Sequence, residues 1–164
     1  MTPSKPDIPT TAISRTPGSS ITSDLGRILA IDYGTKRTGI AVTDILRIVP
    51  GGLTTVPTHT IFSFLSDYFS KEAVDVIVVG YPLNMDGEEA AIMKQIRPFT
   101  EKLKKLFPDK SVVMFDERFT SVMAQRAILD AGIGKMARRN KALVDEVSAC
   151  ILLESYMDSL KHDL

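Results

Sequence analysis

Apolar residues in the first third of the chain form short runs and alternations that are typical of β-strands. An apolar run at 28–31 ends on Asp32, and alternation of apolar and polar residues resumes over 38–43. This pattern predicts a β-hairpin whose first strand delivers a carboxylate to the end of a sheet. Residues 48–56 are predicted as a third strand, and the Pro-Gly-Gly sequence within it indicates a bulge or an edge position.

The rest of the chain alternates helical spacing with strand-like runs. Residues 74–79 (VDVIVV) are almost all β-branched, which is typical of a strand covered on both faces. Pro98 lies inside a long helical pattern and is expected to kink or split that helix. Three strands in a meander, followed by crossover helices, predict an α/β fold with a mixed sheet covered by helices. The elements predicted after the third strand are a helix at 58–72, a strand at 74–79, a helix at 88–107, a strand at 111–115, a short helix at 120–131 and a last helix at 142–160.

Composition indicates one globular domain preceded by a tail. The chain has 164 residues, of which 44% are hydrophobic and 24% charged, and this suits one domain with a full core. Residues 1–24 are rich in Pro, Ser and Thr and poor in large apolar side chains, so this segment cannot bury enough surface to order itself. We therefore expect a disordered N-terminal tail at 1–24 and a single domain at 25–164.

Charge, cysteine content and hydropathy exclude some classes of protein. The net charge is zero and the pI is about 6.7, so any binding to nucleic acid must come from local basic patches. Cys150 is the single cysteine, which excludes an internal disulfide and fits a reducing compartment. No apolar run approaches the roughly 20 residues that a membrane helix needs. We expect a soluble protein that resides in the cytoplasm.

Acidic residues lie at the ends of two predicted strands and near the start of the last helix. Asp32 ends the first strand, and Asp116 and Glu117 end the fifth. Asp145 lies beside the apolar stripe of the last helix. Because the carboxyl ends of parallel strands meet at one edge of a sheet, these acids are expected to lie close together. Clustered carboxylates repel each other, and a hard divalent cation such as Mg²⁺ or Mn²⁺ relieves that repulsion. The alternative is that the acids are scattered and that Asp32 only caps a turn.

Four sequence blocks in this chain resemble the signature blocks of the YqgF family. They are DYGTKRTGIAVTD at 32–44, VVGYPLNMDG at 78–87, DERFTSVMAQ at 116–125 and VDEVSACILLESYM at 144–157. Members of this family are described as Holliday-junction resolvases and pre-16S ribosomal RNA nucleases. The resemblance implies a ribonuclease H-like fold, with a five-stranded mixed sheet in which the second strand is antiparallel. It also implies a catalytic acidic triad that uses a divalent metal ion.

The same resemblance implies which acids form the catalytic and metal-binding triad: Asp32, Glu117 and Asp145. Alternation along a strand puts Asp116 and Glu117 on opposite faces but does not say which of them faces the site. The family pattern favours Glu117, and the alternative is that Asp116 caps the following helix while Glu117 is solvated. Glu146, next to Asp145, is expected to be a surface charge.

Basic residues near the predicted site are candidates for contacts with nucleic acid. Two arginines follow candidate acids, and each of them either binds phosphate or braces the carboxylates. The basic run at 135–141 is a solvated loop on charge alone, but beside a phosphodiester site it becomes a backbone-contacting patch with salt-dependent affinity. The lysines between 102 and 110 are expected to form an ordinary solvated helix face. The candidates for nucleic-acid contact are Arg37, Arg118, Lys135, Arg138, Arg139 and Lys141.

These features and the resemblance lead to one main hypothesis for function and several alternatives. The main hypothesis is a metal-dependent nuclease that processes structured RNA, above all the precursor of small-subunit (16S) ribosomal RNA in ribosome biogenesis. A Holliday-junction resolvase acting on DNA is an alternative that the sequence does not separate from it. A non-catalytic nucleic-acid-binding module of the same fold is another. The Asp-x-Gly-Thr sequence at 32–35 also resembles the phosphate loop of certain ATPases, but that fold needs two domains and 164 residues are too few.

Overall fold

Five β-strands and three α-helices make up the part of the chain that the computed structural model describes, which is residues 26–83, 90–117 and 140–162. A 3-10 turn at Thr58–Thr60 precedes the first helix. The elements are β1 (Arg27–Asp32), β2 (Arg37–Thr43), β3 (Pro50–Pro57), α1 (Ile61–Lys71), β4 (Val74–Tyr81), α2 (Met93–Leu106), β5 (Ser111–Asp116) and α3 (Lys141–His162).

The strands form one mixed sheet in the order β3-β2-β1-β4-β5. β2 is antiparallel to both of its neighbours, whereas β1, β4 and β5 are parallel to one another. At the centre of the sheet, Ile31 of β1 lies level with Ile40 of β2 and Val79 of β4. The predicted α/β sheet with an antiparallel second strand is therefore confirmed. β3 runs in the same direction as β1, so β1, β3, β4 and β5 all end at one edge of the sheet, which we call the carboxyl edge.

β3 is an edge strand that carries a bulge, whereas its Pro-Gly-Gly sequence predicted one feature or the other. Ile40 of β2 pairs with Thr54, and the next residue, Ala41, pairs with Gly52, so Leu53 is the extra residue. Pro50 begins the strand. An edge tolerates proline there because the missing N–H interrupts no interior hydrogen bond of the sheet.

Alternation along β1 divides its side chains between two hydrophobic cores. Leu29 and Ile31 pack in the larger core with residues of α1 and α2, whereas Ile28 and Ala30 pack under α3. All four side chains are almost completely buried. Because residues two apart along a strand share a face, Asp32 continues the series of Ile28 and Ala30 and faces α3.

α2 is one continuous helix through Pro98, so the predicted alternative of a split helix is wrong. Proline removes the hydrogen bond that its N–H would have donated to the carbonyl of Lys94, four residues earlier. Both Pro98 and Lys94 lie on the exposed side of the helix, where water can bind that carbonyl. The loss is therefore tolerated while the opposite side of α2 packs in the larger core.

The side chain of Lys110 is largely covered, and the expectation that it belongs to a solvated lysine face is wrong. Only 9% of its side chain is exposed. Its ammonium donates a 2.9 Å hydrogen bond to the carbonyl of Val74 and lies 4.5 Å from the centre of the Phe69 ring. The residue precedes β5 rather than continuing α2, so the helical spacing of the other lysines does not apply to it.

Several predicted segments lie outside the described residues. They are the tail at 1–24, the short helix at 120–131 and the part of the basic run before 140. The division of the chain into a tail and one domain therefore stays a prediction. None of the described helices is long and apolar enough to cross a membrane.

The first turn of α3 packs directly on β2 at Gly39. A Cβ added to Gly39 would overlap the carbonyl oxygen of Asp145 and lie 2.5 Å from its carbonyl carbon. The Thr55 hydroxyl of β3 also donates a 2.6 Å hydrogen bond to the carbonyl of Ala142. Only a residue without a side chain at 39 lets the start of α3 approach the sheet this closely.

Replacing Gly39 with alanine should therefore destabilise the protein. We expect Gly39→Ala to lower the free energy of unfolding by about 1–3 kcal/mol, because the added methyl group pushes α3 away from β2. Urea denaturation measures this change. Gly51→Ala is the matched control, since a Cβ there meets only the carbonyl oxygen of Val42 at 3.9 Å. Equal stabilities of the two variants would contradict this account of the α3 packing.

Candidate active site

Asp32 and Glu117 meet at the carboxyl edge, on the face of the sheet covered by α3. Asp32 is the last residue of β1, and its side chain forms a hydrogen bond with that of Glu117. Glu117 follows β5, and its backbone N–H donates a 3.1 Å hydrogen bond to the carbonyl of Tyr81 at the end of β4. The sheet geometry thus extends one residue beyond β5 and fixes the direction of the Glu117 side chain.

The alternation of side chains between the two faces of β5 explains why Glu117, and not Asp116, lies in this site. Val112 and Met114 pack against the larger core, whereas Phe115 packs with α3 residues in the smaller one. Glu117 therefore shares a face with Phe115, while Asp116 shares the opposite face with Met114. The structure supports the family pattern against the alternative in which Glu117 is solvated.

Gly80 in β4 makes room for the carboxylate of Glu117. A Cβ at Gly80 would overlap the Glu117 side chain and would lie 2.9 Å from Cδ2 of Leu152 in α3. Neither Gly39 nor Gly80 was given a packing role from the sequence. A signal was present, because each interrupts an apolar strand and glycine within a strand often marks the close approach of another group.

Burial and mutual repulsion raise the pKa values of both acids. Burial raises the pKa of Asp32 to about 6, against the lowering effect of its hydrogen bond with Glu117, and the charge of Asp145 raises it further. Burial also raises the pKa of Glu117 to about 9, with added contributions from the Asp32 charge and hydrogen bond and from Asp116. Near neutral pH the pair therefore retains one proton, and the protonated Glu117 carboxyl donates to the Asp32 carboxylate.

Asp145 lies next to this pair but has a different partner. The backbone carbonyl of Asp145 lies against Gly39 of β2, and Gly39 pairs with Asp32 of β1. The Asp145 carboxylate accepts a 3.0 Å hydrogen bond from Nε of Arg37. Within residues 26–83, 90–117 and 140–162, no group of three or more His, Cys, Asp or Glu side chains is arranged to hold a metal ion. The structure thus brings Asp32 and Glu117 into contact and leaves Asp145 adjacent, and the triad stays a prediction.

Arg37 braces a carboxylate in this structure, which is one of the two alternatives that the sequence left open. The side chains of Arg37 and Asp145 are 40% and 27% exposed. An ion pair at that exposure contributes at most about 1 kcal/mol, so phosphate or a cation can displace it at small cost. Lys141, at the first position of α3, is exposed, and the other four basic candidates lie outside the described residues.

Glu146 is not the free surface charge that the sequence suggested. Its side chain packs against Gly52 of β3, where an added Cβ would lie 2.5 Å from Oε1 and 2.7 Å from Cγ. It is half-buried, on a side of α3 that faces the bulged edge strand. Glu146 is therefore separated from the Asp32–Glu117 pair and helps to seat α3 on the sheet.

A five-stranded mixed sheet of this order, flanked by helices, has the ribonuclease H-like arrangement, and here two strand-end acids meet beneath the last helix. A family model described as RuvX: Holliday junction resolvase matches residues 26–159, and the chain belongs to that family. The predicted family, fold and enzyme class are thereby confirmed.

Three bacterial relatives match this chain over almost their whole lengths. A protein from Porphyromonas gingivalis is 64% identical over 135 residues, which cover 82% of this chain and 98% of that protein. One from Phocaeicola vulgatus is 54% identical, with 84% and 99% covered. One from Flavobacterium johnsoniae is 50% identical, with 81% and 96% covered. Each is named "Putative pre-16S rRNA nuclease".

The raised pKa values predict how the stability of the metal-free protein depends on pH. In the unfolded chain the pKa values of the two acids are near their ordinary values of 3.8 and 4.5, whereas the folded pair holds protons up to about pH 6 and 9. Between pH 4 and 9 the folded state therefore binds more protons, so its stability falls as the pH rises. Urea denaturation in chelator at several pH values measures this fall.

The matched comparison is the double variant Asp32→Asn, Glu117→Gln, which keeps the shapes of both side chains and removes their titration. We expect the wild type to lose stability relative to the double variant as the pH rises from 5 to 9, so the free energy of unfolding of the double variant minus that of the wild type should increase. A difference that is constant across this range, or that shrinks, would show that the pair does not hold protons in the folded state.

Proposed function

We propose that this protein is a divalent-metal-dependent nuclease that cleaves structured RNA, with the precursor of 16S ribosomal RNA as its substrate in ribosome biogenesis. The observation that carries the proposal is the contact between Asp32 and Glu117 at the carboxyl edge, with Asp145 beside it. Ligands of open α/β sheets bind at this edge. The names of the relatives support the choice of RNA, and we place the protein in the cytoplasm, where this processing takes place.

The residues at this edge fit a hard divalent cation. All donors are carboxylate oxygens, which suit Mg²⁺ or Mn²⁺ better than softer metals. Two largely buried acids that repel each other and retain a proton form a site that a cation would relieve. Asp32, Glu117 and Asp145 would hold the ion, and it would supply activation of water and stabilisation of the leaving oxygen.

Contacts with neighbouring residues hold the charged side chains of the site in position. The backbone hydrogen bond of Glu117 to Tyr81 keeps its carboxyl beside Asp32. Arg37 holds Asp145 in place before substrate arrives, and its partial exposure leaves it able to contact a phosphate. We propose further phosphate contacts from Arg118, Lys135, Arg138, Arg139 and Lys141, whose contribution should weaken as salt rises.

A four-way DNA junction is the second candidate substrate. The description of the matching family model, Holliday junction resolvase, favours it. A site of this kind recognises the phosphodiester and its surrounding charge rather than the sugar, so the same acids would serve either substrate.

Removal of any one acid should abolish cleavage without unfolding the protein. We expect Asp32→Asn, Glu117→Gln and Asp145→Asn each to lower the cleavage rate at least about a hundredfold. Precursor 16S ribosomal RNA and a four-way DNA junction are each incubated with Mn²⁺ and with chelator, and the products are separated on denaturing gels. Cleavage of the RNA but not the junction is the expected result.

Two adjacent acids provide matched controls for these variants. Asp116→Asn removes a charge one residue from Glu117, on the opposite face of the sheet. Glu146→Gln removes one beside Asp145, against β3. Both should cleave at nearly the wild-type rate. Wild-type cleavage by the Asp32 or Glu117 variant, or equal losses in the two controls, would exclude the proposed mechanism.

A further inference from the structure

An open groove with a volume of about 470 Å³ lies between α1 and α2, on the face of the sheet opposite α3. Its floor is aromatic: the Phe99 ring lies 4.8 Å from the Tyr33 ring and 5.3 Å from the Phe62 ring, centre to centre. Lys102 places its ammonium 4.4 Å from the centre of the Phe62 ring. The rim is polar and includes the Gln95 amide, which is 3.4 Å from the Tyr33 hydroxyl.

The groove opens at the carboxyl edge, next to the candidate active site. Tyr33 directly follows Asp32, so their Cα atoms are about 3.8 Å apart. Thr58 and His59 follow β3, which ends at the same edge, and both line the groove. The acids lie on one face of this edge and the groove on the other. A polynucleotide strand that crosses the edge can therefore place one phosphate at the acids and a neighbouring nucleotide in the groove.

Charge around the groove favours an anionic ligand. The whole chain has no net charge, yet α2 carries five Lys and Arg residues and a single acid. One of the five, Lys102, lines the groove itself. An apolar floor with a cationic wall is the combination with which proteins bind single-stranded nucleic acid, since the rings stack on bases and the cations contact phosphates. The basic residues of α2 are Lys94, Arg97, Lys102, Lys104 and Lys105.

We propose that this groove binds one unpaired nucleotide of the substrate next to the bond that is cleaved. The inference rests on the proposed nuclease function and adds a requirement for single-stranded character beside the cleavage site. The base stacks on the aromatic floor, and Lys102 contacts the adjoining phosphate. Gln95 and His59 at the rim offer hydrogen bonds to the edge of the base.

Binding in chelator tests this proposal separately from cleavage. The intact protein is titrated into a short fluorescein-labelled single-stranded RNA, and its affinity is read from fluorescence anisotropy. Phe62→Leu removes a ring and should weaken binding about tenfold. Lys102→Ala should weaken it roughly fivefold. Neither variant should change the affinity for a fully paired RNA duplex.

Lys104→Ala is the matched control, because it removes the same charge from an exposed position of α2 that does not line the groove. Its effect on single-stranded RNA should be less than twofold. Equal effects of Lys102→Ala and Lys104→Ala would overturn the proposal, as would equal losses on single strand and duplex. Lys102 is exposed, so this variant keeps the test open if Phe62→Leu fails to fold.

A single-stranded DNA of the same sequence forms a second arm. Binding of either RNA or DNA that the groove variants weaken supports the inference. The strand that binds more tightly shows whether the groove prefers ribose or deoxyribose. If the wild-type protein binds single-stranded RNA through the groove but does not cleave RNA or the DNA junction, only the proposed nuclease function is overturned. If the wild-type protein cleaves but neither Phe62→Leu nor Lys102→Ala weakens the binding of single-stranded RNA, only the proposed role of the groove is overturned.

Discussion

The site depends on the contact between two largely buried carboxyl groups, Asp32 and Glu117. Their repulsion and burial make full ionisation costly, so the pair retains a proton near neutral pH. Such an arrangement weakens the metal-free fold as the pH rises, and packing elsewhere must offset the cost. The two hydrophobic cores, one on each side of the sheet, supply that stability and keep the strand ends in register.

The surrounding structure holds the acids together through close backbone approach. Gly80 leaves the space that Glu117 fills, and Gly39 lets α3 bring Asp145 down to the sheet beside Asp32. Arg37 then offsets the negative charge of Asp145 through an ion pair weak enough to be exchanged. The site is thus close-packed along the backbone and remains adaptable at its exposed side chains. That combination suits a site that must admit both a cation and a phosphodiester.

The sequence predicted the sheet and the position of Asp32 because strand patterning and the ends of strands are local features. Strand alternation alone did not choose between Asp116 and Glu117, since their faces depend on how β5 aligns with β4, and only the family resemblance favoured Glu117. The covering of the Lys110 side chain was missed for a similar reason, because its partner Phe69 lies in α1, far away along the chain. The aromatic groove was also missed, since its residues come from three separate segments and meet only when α1 and α2 pack together.

The most direct test of the central claim is calorimetric titration of Mn²⁺ into the protein without nucleic acid. We expect saturable binding by the wild type and by Asp116→Asn, and no measurable binding by the Asp32→Asn, Glu117→Gln double variant. Equal binding by the wild type and the double variant would contradict the claim, because the ion would then be held elsewhere. Absence of binding in the wild type would contradict it as well.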